Sequence, residues 1–130
     1  MEIINTIIQS LQQQAHNLIT QFREQRGNFS IQILLNPIDR RSVDVVFDII
    51  NSSQNQQLRE SLKNRENIDV IVDSLGGDAD AAYHVAKLLH AHFPGEITYI
   101  IPRFAKSAAT LLVCGGDKII MGETSELGPL

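Results

Sequence analysis

Gly77 and Ser107 stand thirty positions apart, and each heads a run that reads as a helix after a run that reads as a strand. The first loop lies at the end of residues 68–78 (IDVIVDSLGGD), the second within residues 102–110 (PRFAKSAAT). A glycine pair lets backbone N–H groups face a ligand, because glycine accepts the turn and carries no side chain to block approach. A serine at a helix start sits in the positive field of the helix N-terminus, next to first-turn N–H groups that have no partner within the helix. Together they make a candidate nucleophile beside a candidate oxyanion hole, the requirements of acyl transfer.

Each feature taken alone has a plainer account. Gly76-Gly77 can form a tight turn with Asp78 capping the helix that follows, and Ser107 ahead of Ala-Ala-Thr-Leu-Leu is a good N-cap. A nucleotide site is a poorer account. Residues 76–82 (GGDADAA) do not spell G-x-G-x-x-G, and two aspartates at the helix start would repel a pyrophosphate. Lys106-Ser107 lacks the preceding glycines of a phosphate loop.

The elements that must position these loops follow from periodicity. Residues 2–26 read as a helix with a heptad seam at Ile4, Ile8, Leu11, Ala15, Leu18 and Phe22, flanked by glutamines and stopped by Gly27-Asn28. Docking on its own domain and self-association are equally good uses of that seam. Ser30 to Leu35 reads as a strand. Val43, Val46, Phe47 and Ile50 form the core face of a helix capped by Asp39 or Ser42. Residues 51–57 read as a flexible polar connection leading into a weak helix to about Lys63.

Ile68 to Val72 has the pattern of a strand buried on both faces. Residues 79–93 form a helix with Ala82, Val85, Ala86, Leu89 and Phe93 inward, halted by Pro94-Gly95. Glu96 to Ile101 is the next strand, residues 107–114 a short helix, and Lys118 to Met121 a last strand. Alternation of this kind gives an α/β fold, a parallel sheet with right-handed β-α-β crossovers, here preceded by an N-terminal helix. Residues 1–27 are that helix and 28–130 the domain.

Composition narrows the function. With 15 acidic and 11 basic residues and a net charge of −4, the chain offers no electrostatic footprint for nucleic acid or an anionic membrane. No apolar run reaches membrane-span length, and the N-terminus lacks a signal-peptide pattern, so a cytoplasmic protein is expected. The single Cys114 lies in an apolar run and reads as a small buried core residue. His90 and His92, two apart on one helix, make a poor metal pair, while His84 and His16 fall on polar faces; no metal is expected.

Four ordered segments, residues 73–82 (DSLGGDADAA), 101–110 (IPRFAKSAAT), 116–121 (GDKIIM) and 125–129 (SELGP), resemble the serine dehydrogenase proteinase family. That family is related to the signal-peptide-peptidase and Clp proteases within the Clp/crotonase-like superfamily. The resemblance implies Ser107 as nucleophile, the N–H groups of Gly77 and Ala108 as the oxyanion hole, and Ser74 and Gly76 as the supporting loop. It implies a peptide or protein substrate, no cofactor and a homo-oligomer. Where the family has Ser/Thr-Pro-Gly-Gly, this chain has Ser74-Leu75-Gly76-Gly77, which loses the preset φ of proline and keeps both glycine N–H groups. Relatives supply a lysine or histidine as general base a few dozen residues after the nucleophile, beyond Leu130; the 130 residues alone are therefore expected to be inactive. Lys106 projects away from its neighbour Ser107, and Lys118 starts a strand, so neither substitutes. A crotonase-type acyl-thioester enzyme, needing the two donors but no serine, and a non-catalytic assembly domain of the same fold are the alternatives.

Overall fold

The computed structural model describes residues 1–34 and 37–129. Its centre is a parallel sheet of four strands, β1 (Asn28–Ile33), β2 (Asn64–Val72), β3 (Ile97–Ile101) and β5 (Lys118–Met121), in the order β1-β2-β3-β5. Parallel neighbours require crossovers. These are α2 (Arg40–Asn51) and α3 (Ser53–Glu60), then α4 (Ala79–His92), then a short strand β4 (Phe104–Ala105) followed by α5 (Ala108–Val113). Each crossover moves one strand along in the same direction, and α2, α4 and α5 pack side by side in one layer.

Strand alternation sorts the sheet into two different faces. Phe29, Ile31, Ile33, Ile68, Val70, Val72, Ile97, Tyr99 and Ile101 alternate onto one face and are buried with Val46, Ile50, Ala82, Val85, Leu89, Phe93, Ala109 and Leu112 of the helices. The opposite face carries Ser30, Gln32, Asp69, Ile71, Thr98 and Ile100. Of these, Gln32 is exposed and Ile71 and Ile100 are half-buried. β2 is therefore not sealed on both faces as its apolar sequence suggests.

The end of the N-terminal helix α1 (Glu2–Arg26) covers part of that second face through polar contacts. Arg26 binds Asp69 in a fork, Nη2 to Oδ1 at 2.8 Å and Nε to Oδ2 at 3.0 Å, and this hydrogen bonding raises the arginine pKa. Asn28 Nδ2 also donates to Asp69, at 3.2 Å, so a carboxylate with no solvent exposure is held by three donors. One turn earlier, Arg23 lies over the Phe29 ring and donates to Ser30 Oγ at 2.8 Å and Ser30 O at 2.9 Å. Gly27, at φ 70, makes the sharp exit from helix to strand that a side-chained residue would resist.

Several expectations need correction. Residues 51–57 are not a flexible connection. Ser52 alone separates α2 from α3, and its hydroxyl accepts from the Asn55 N–H at 3.2 Å to start the new helix. Phe47 is exposed, set edge-on to His92, because the core face of α2 narrows to Ser42, Val46 and Ile50. Cys114 is exposed, since α5 turns Ala109, Leu112 and Val113 inward and leaves Leu111 and Cys114, three apart, outside. β1 begins two residues before the expected Ser30 and β2 four before Ile68; the expected strand end at Leu35 lies outside the described residues. The cap at Asp39 is present as a reciprocal pair with Ser42.

If the Arg26–Asp69 fork locks α1 onto the sheet, Arg26→Gln leaves a buried carboxylate short of its main partner. Urea denaturation should show stability lower by about 3 kcal/mol.

Candidate functional site

Both candidate loops leave the carboxyl ends of neighbouring parallel strands, β2 and β3, and the backbone joins them directly. The Ser74 N–H donates to Phe104 O at 3.2 Å and the Lys106 N–H to Ser74 O at 3.0 Å, a parallel bridge between Ser74 and Ala105. Beside it, Arg103 binds Asp73 in a fork at 2.8 and 3.2 Å. That pairing raises the arginine pKa, through the side-chain hydrogen bond first and then through the charge of Asp73.

Gly76 and Gly77 both have positive φ, 110° and 146°. A methyl group on Gly76 would sit 2.6 Å from Lys106 O and 2.8 Å from Ser107 Cβ, so only a bare backbone lets the first loop lie against the second. Ser74 Oγ accepts the Gly76 N–H at 3.0 Å, which removes that donor from the open side of the loop. Ile38 clamps the pair: its N–H donates to Gly76 O at 2.7 Å and its carbonyl accepts from the Asp78 N–H at 2.8 Å. Asp78 then caps α4 through the Asp80 N–H. Among the described residues the Gly77 N–H and the Ala108 N–H have no hydrogen-bond partner.

Ser107 is the only non-glycine residue with positive φ among the described residues, at φ 53 and ψ −120. Such a conformation costs a serine about 1–3 kcal/mol and persists only where the surroundings impose it. Here they do. Thr110 Oγ donates to Ala105 O at 2.7 Å, and the Ala109 N–H to Lys106 O at 2.9 Å. A further short strand, β6 (Glu126–Leu127), pairs in parallel with β4. Around it, Glu126 N–H donates to Arg103 O and Gly128 N–H to Ala105 O, both at 2.9 Å, and Ser125 Oγ reaches Ile101 O at 2.7 Å. Although Ser107 occupies the N-cap position of α5, its side chain makes no capping hydrogen bond and is exposed. The simple capping account of this serine therefore fails. α5 has only six residues, so the field of a long helix dipole is not available at Ser107.

The basic side chains nearby in sequence are engaged elsewhere. Lys106 Nζ lies 2.9 Å from Glu126, and Lys118 pairs with Glu96 at 3.3 Å. His90 Nε2 contacts Gly115 O at 2.7 Å and His92 Nδ1 contacts Leu88 O at 3.0 Å. Ser107 Oγ has no hydrogen-bond partner among the described residues, nor do these hold a cluster of three His, Cys, Asp or Glu side chains suited to a metal. The part of residues 125–128 as the clamp on the Ser107 loop escaped sequence reasoning. Ser125 and Gly128 were visible there only as pieces of a motif.

The sequence profile of the ClpP-like SDH-type serine proteinases matches residues 5–130. This chain belongs to that family. Two proteins of Methanocaldococcus jannaschii, the uncharacterized proteins MJ0137 and MJ1495, are 46% and 36% identical to it, each over 63 residues or 48% of the chain. The chain spans only 22% and 21% of their lengths. A solved structure of the membrane-bound stomatin-specific protease 1510-N, in a serine-to-alanine form, aligns with 77% of the chain and 45% of its own length. Its TM-score is 0.56 at 23% identity, which establishes the shared ClpP-like fold. No helix among the described residues is long and apolar enough to cross a membrane.

Two substitutions separate strain from contact. Ser107→Gly relieves the positive φ and should raise stability by about 1 kcal/mol in chemical denaturation. Gly76→Ala adds a methyl group where Lys106 and Ser107 already stand and should lower it by at least about 2 kcal/mol in the same measurement.

Proposed function

We propose that residues 28–130 carry the nucleophile and oxyanion hole of a serine peptidase acting on peptide or protein substrates through an acyl-enzyme on Ser107. The observation that carries this reading is the strained, uncapped Ser107 against the bare backbone of Gly76. A capping serine would use its hydroxyl and relax its φ; this one does neither.

In the proposed reaction Ser107 Oγ bonds to the scissile carbonyl carbon while the carbonyl π electrons move onto oxygen. The oxyanion is received by the N–H groups of Gly77 and Ala108, each worth about 2.7–4 kcal/mol by analogy with known donors. Collapse expels the amine and leaves an ester on Ser107, which water then cleaves by the same steps. The serine proton must pass to a base and on to the leaving amine. With Lys106 and Lys118 held by Glu126 and Glu96, we assign that base to a lysine or histidine outside residues 1–130. Family membership supports the reaction class, and no cofactor enters it. The same reading includes assembly as a homo-oligomer.

Two measurements test this. A longer protein carrying this segment should be labelled by a fluorophosphonate at Ser107, and Ser107→Ala should abolish both labelling and peptide cleavage; undiminished labelling in that variant would remove the assignment. Residues 1–130 alone should cleave casein and a fluorogenic peptide at a rate lower by ~10²- to 10⁴-fold, the usual share of a general base. Equal activity of the two forms would place the base within residues 1–130, whereas acyl-thioester turnover unaffected by Ser107→Ala would favour the crotonase-type alternative.

A further inference from the structure

We propose that α1 pairs with α1 of a second copy of this chain, through the stripe Ile4, Ile7, Ile8, Leu11, Ala15 and Leu18. At 100° per residue these six fall within about 100° of one another, with Thr6, Gln9, Gln13, His16 and Thr20 on the opposite side. Ile4, Leu11 and Leu18 remain 55%, 60% and 65% exposed, and every residue from Met1 to Leu18 is exposed. Contact with the domain begins at Ile19 and is fixed by Arg23 and Arg26. The helix cannot swing its stripe onto its own sheet without breaking those arginine contacts, because Ile4 lies roughly 33 Å along the axis from Arg26.

Charge selects the occupant. Residues 3–22 contain no Asp, Glu, Lys or Arg. Helices that lie in a membrane surface carry basic residues on the polar face, and a charged partner would need charge to complement; this helix offers neither. A copy of itself needs neither. The alternating spacing puts Ile8 and Ala15 at a positions and Ile4, Leu11 and Leu18 at d positions of two heptads, and the glutamine flanks bring no like-charge repulsion when the same surface meets itself. Two such stripes would bury on the order of 1,000 Å² in total, the low end of specific interfaces, so the association is of micromolar strength.

The test reads mass and cross-linking, not activity, so it stands or falls apart from the role of Ser107. Light scattering of the 130-residue chain at tens of micromolar should give two chains per particle. Leu11→Glu with Leu18→Glu should weaken association by at least about a hundredfold, with helicity checked by circular dichroism. In a Cys114→Ser background, Leu11→Cys sits midway between Ile4 and Leu18 and meets its own copy in either helix orientation; mild oxidation should give a covalent dimer. Gln13→Cys, on the opposite face, should not. The cysteine pair adds no charge and therefore decides the matter if the glutamates unfold the helix. A monomeric mass at tens of micromolar, equal cross-linking at positions 11 and 13, or capture of the chain by phospholipid vesicles in place of dimers would overturn the proposal.

Discussion

The approach of Gly76 to Ser107 is the contact on which the rest of the site depends. Two loops that are thirty residues apart must run so close that one of them can carry no side chain at the meeting point. The parallel sheet brings them near by ending β2 and β3 side by side, and the Ser74–Ala105 bridge draws them together. Everything else that is unusual here answers to that closeness. The positive φ of both glycines, the Ile38 clamp and the Arg103–Asp73 fork each fix one more degree of freedom of the same junction.

The sheet divides its work between its two faces. The face under α2, α4 and α5 is apolar and supplies the hydrophobic core, so Ile68, Val70 and Val72 are wholly buried. The other face takes a charged residue, Asp69, and satisfies it with Arg26 and Asn28. A hydrophobic contact would allow α1 many docking angles, whereas a forked arginine–carboxylate pair allows few. The polar anchor therefore sets the direction in which the exposed length of α1 leaves the sheet.

Much of this could be read from residue order because local chemistry and tertiary structure agree. The heptad spacing and Gly27 gave the limits of α1, Asp39 and Asp78 cap the helices they precede, and Lys118–Met121 is the strand its sequence suggests. The glycine pair and Ser107 stood out in the sequence as a candidate site, and the fold sets their two loops against each other. What could not be read depended on partners distant in sequence. Asp69 falls inside an apolar run, and its counter-charge, Arg26, lies 43 residues away. Cys114 and Phe47 lie in apolar runs, yet each falls on the outer side of its helix, an outcome set by which few residues of α5 and α2 the sheet covers. β4 and β6, two residues each, have no periodicity to detect and exist only because they meet.

The clamp on the Ser107 loop also implies an order of events. Arg103 and Ala105 receive their hydrogen bonds from Glu126 and Gly128, some twenty residues later in the chain. As the polypeptide emerges from a ribosome, the serine turn is made well before the segment that helps to hold it in its unfavourable conformation. Until then nothing in β6 opposes relaxation of Ser107. The serine turn thus receives the last of its restraints only after the final strand of the sheet, β5, has been synthesised.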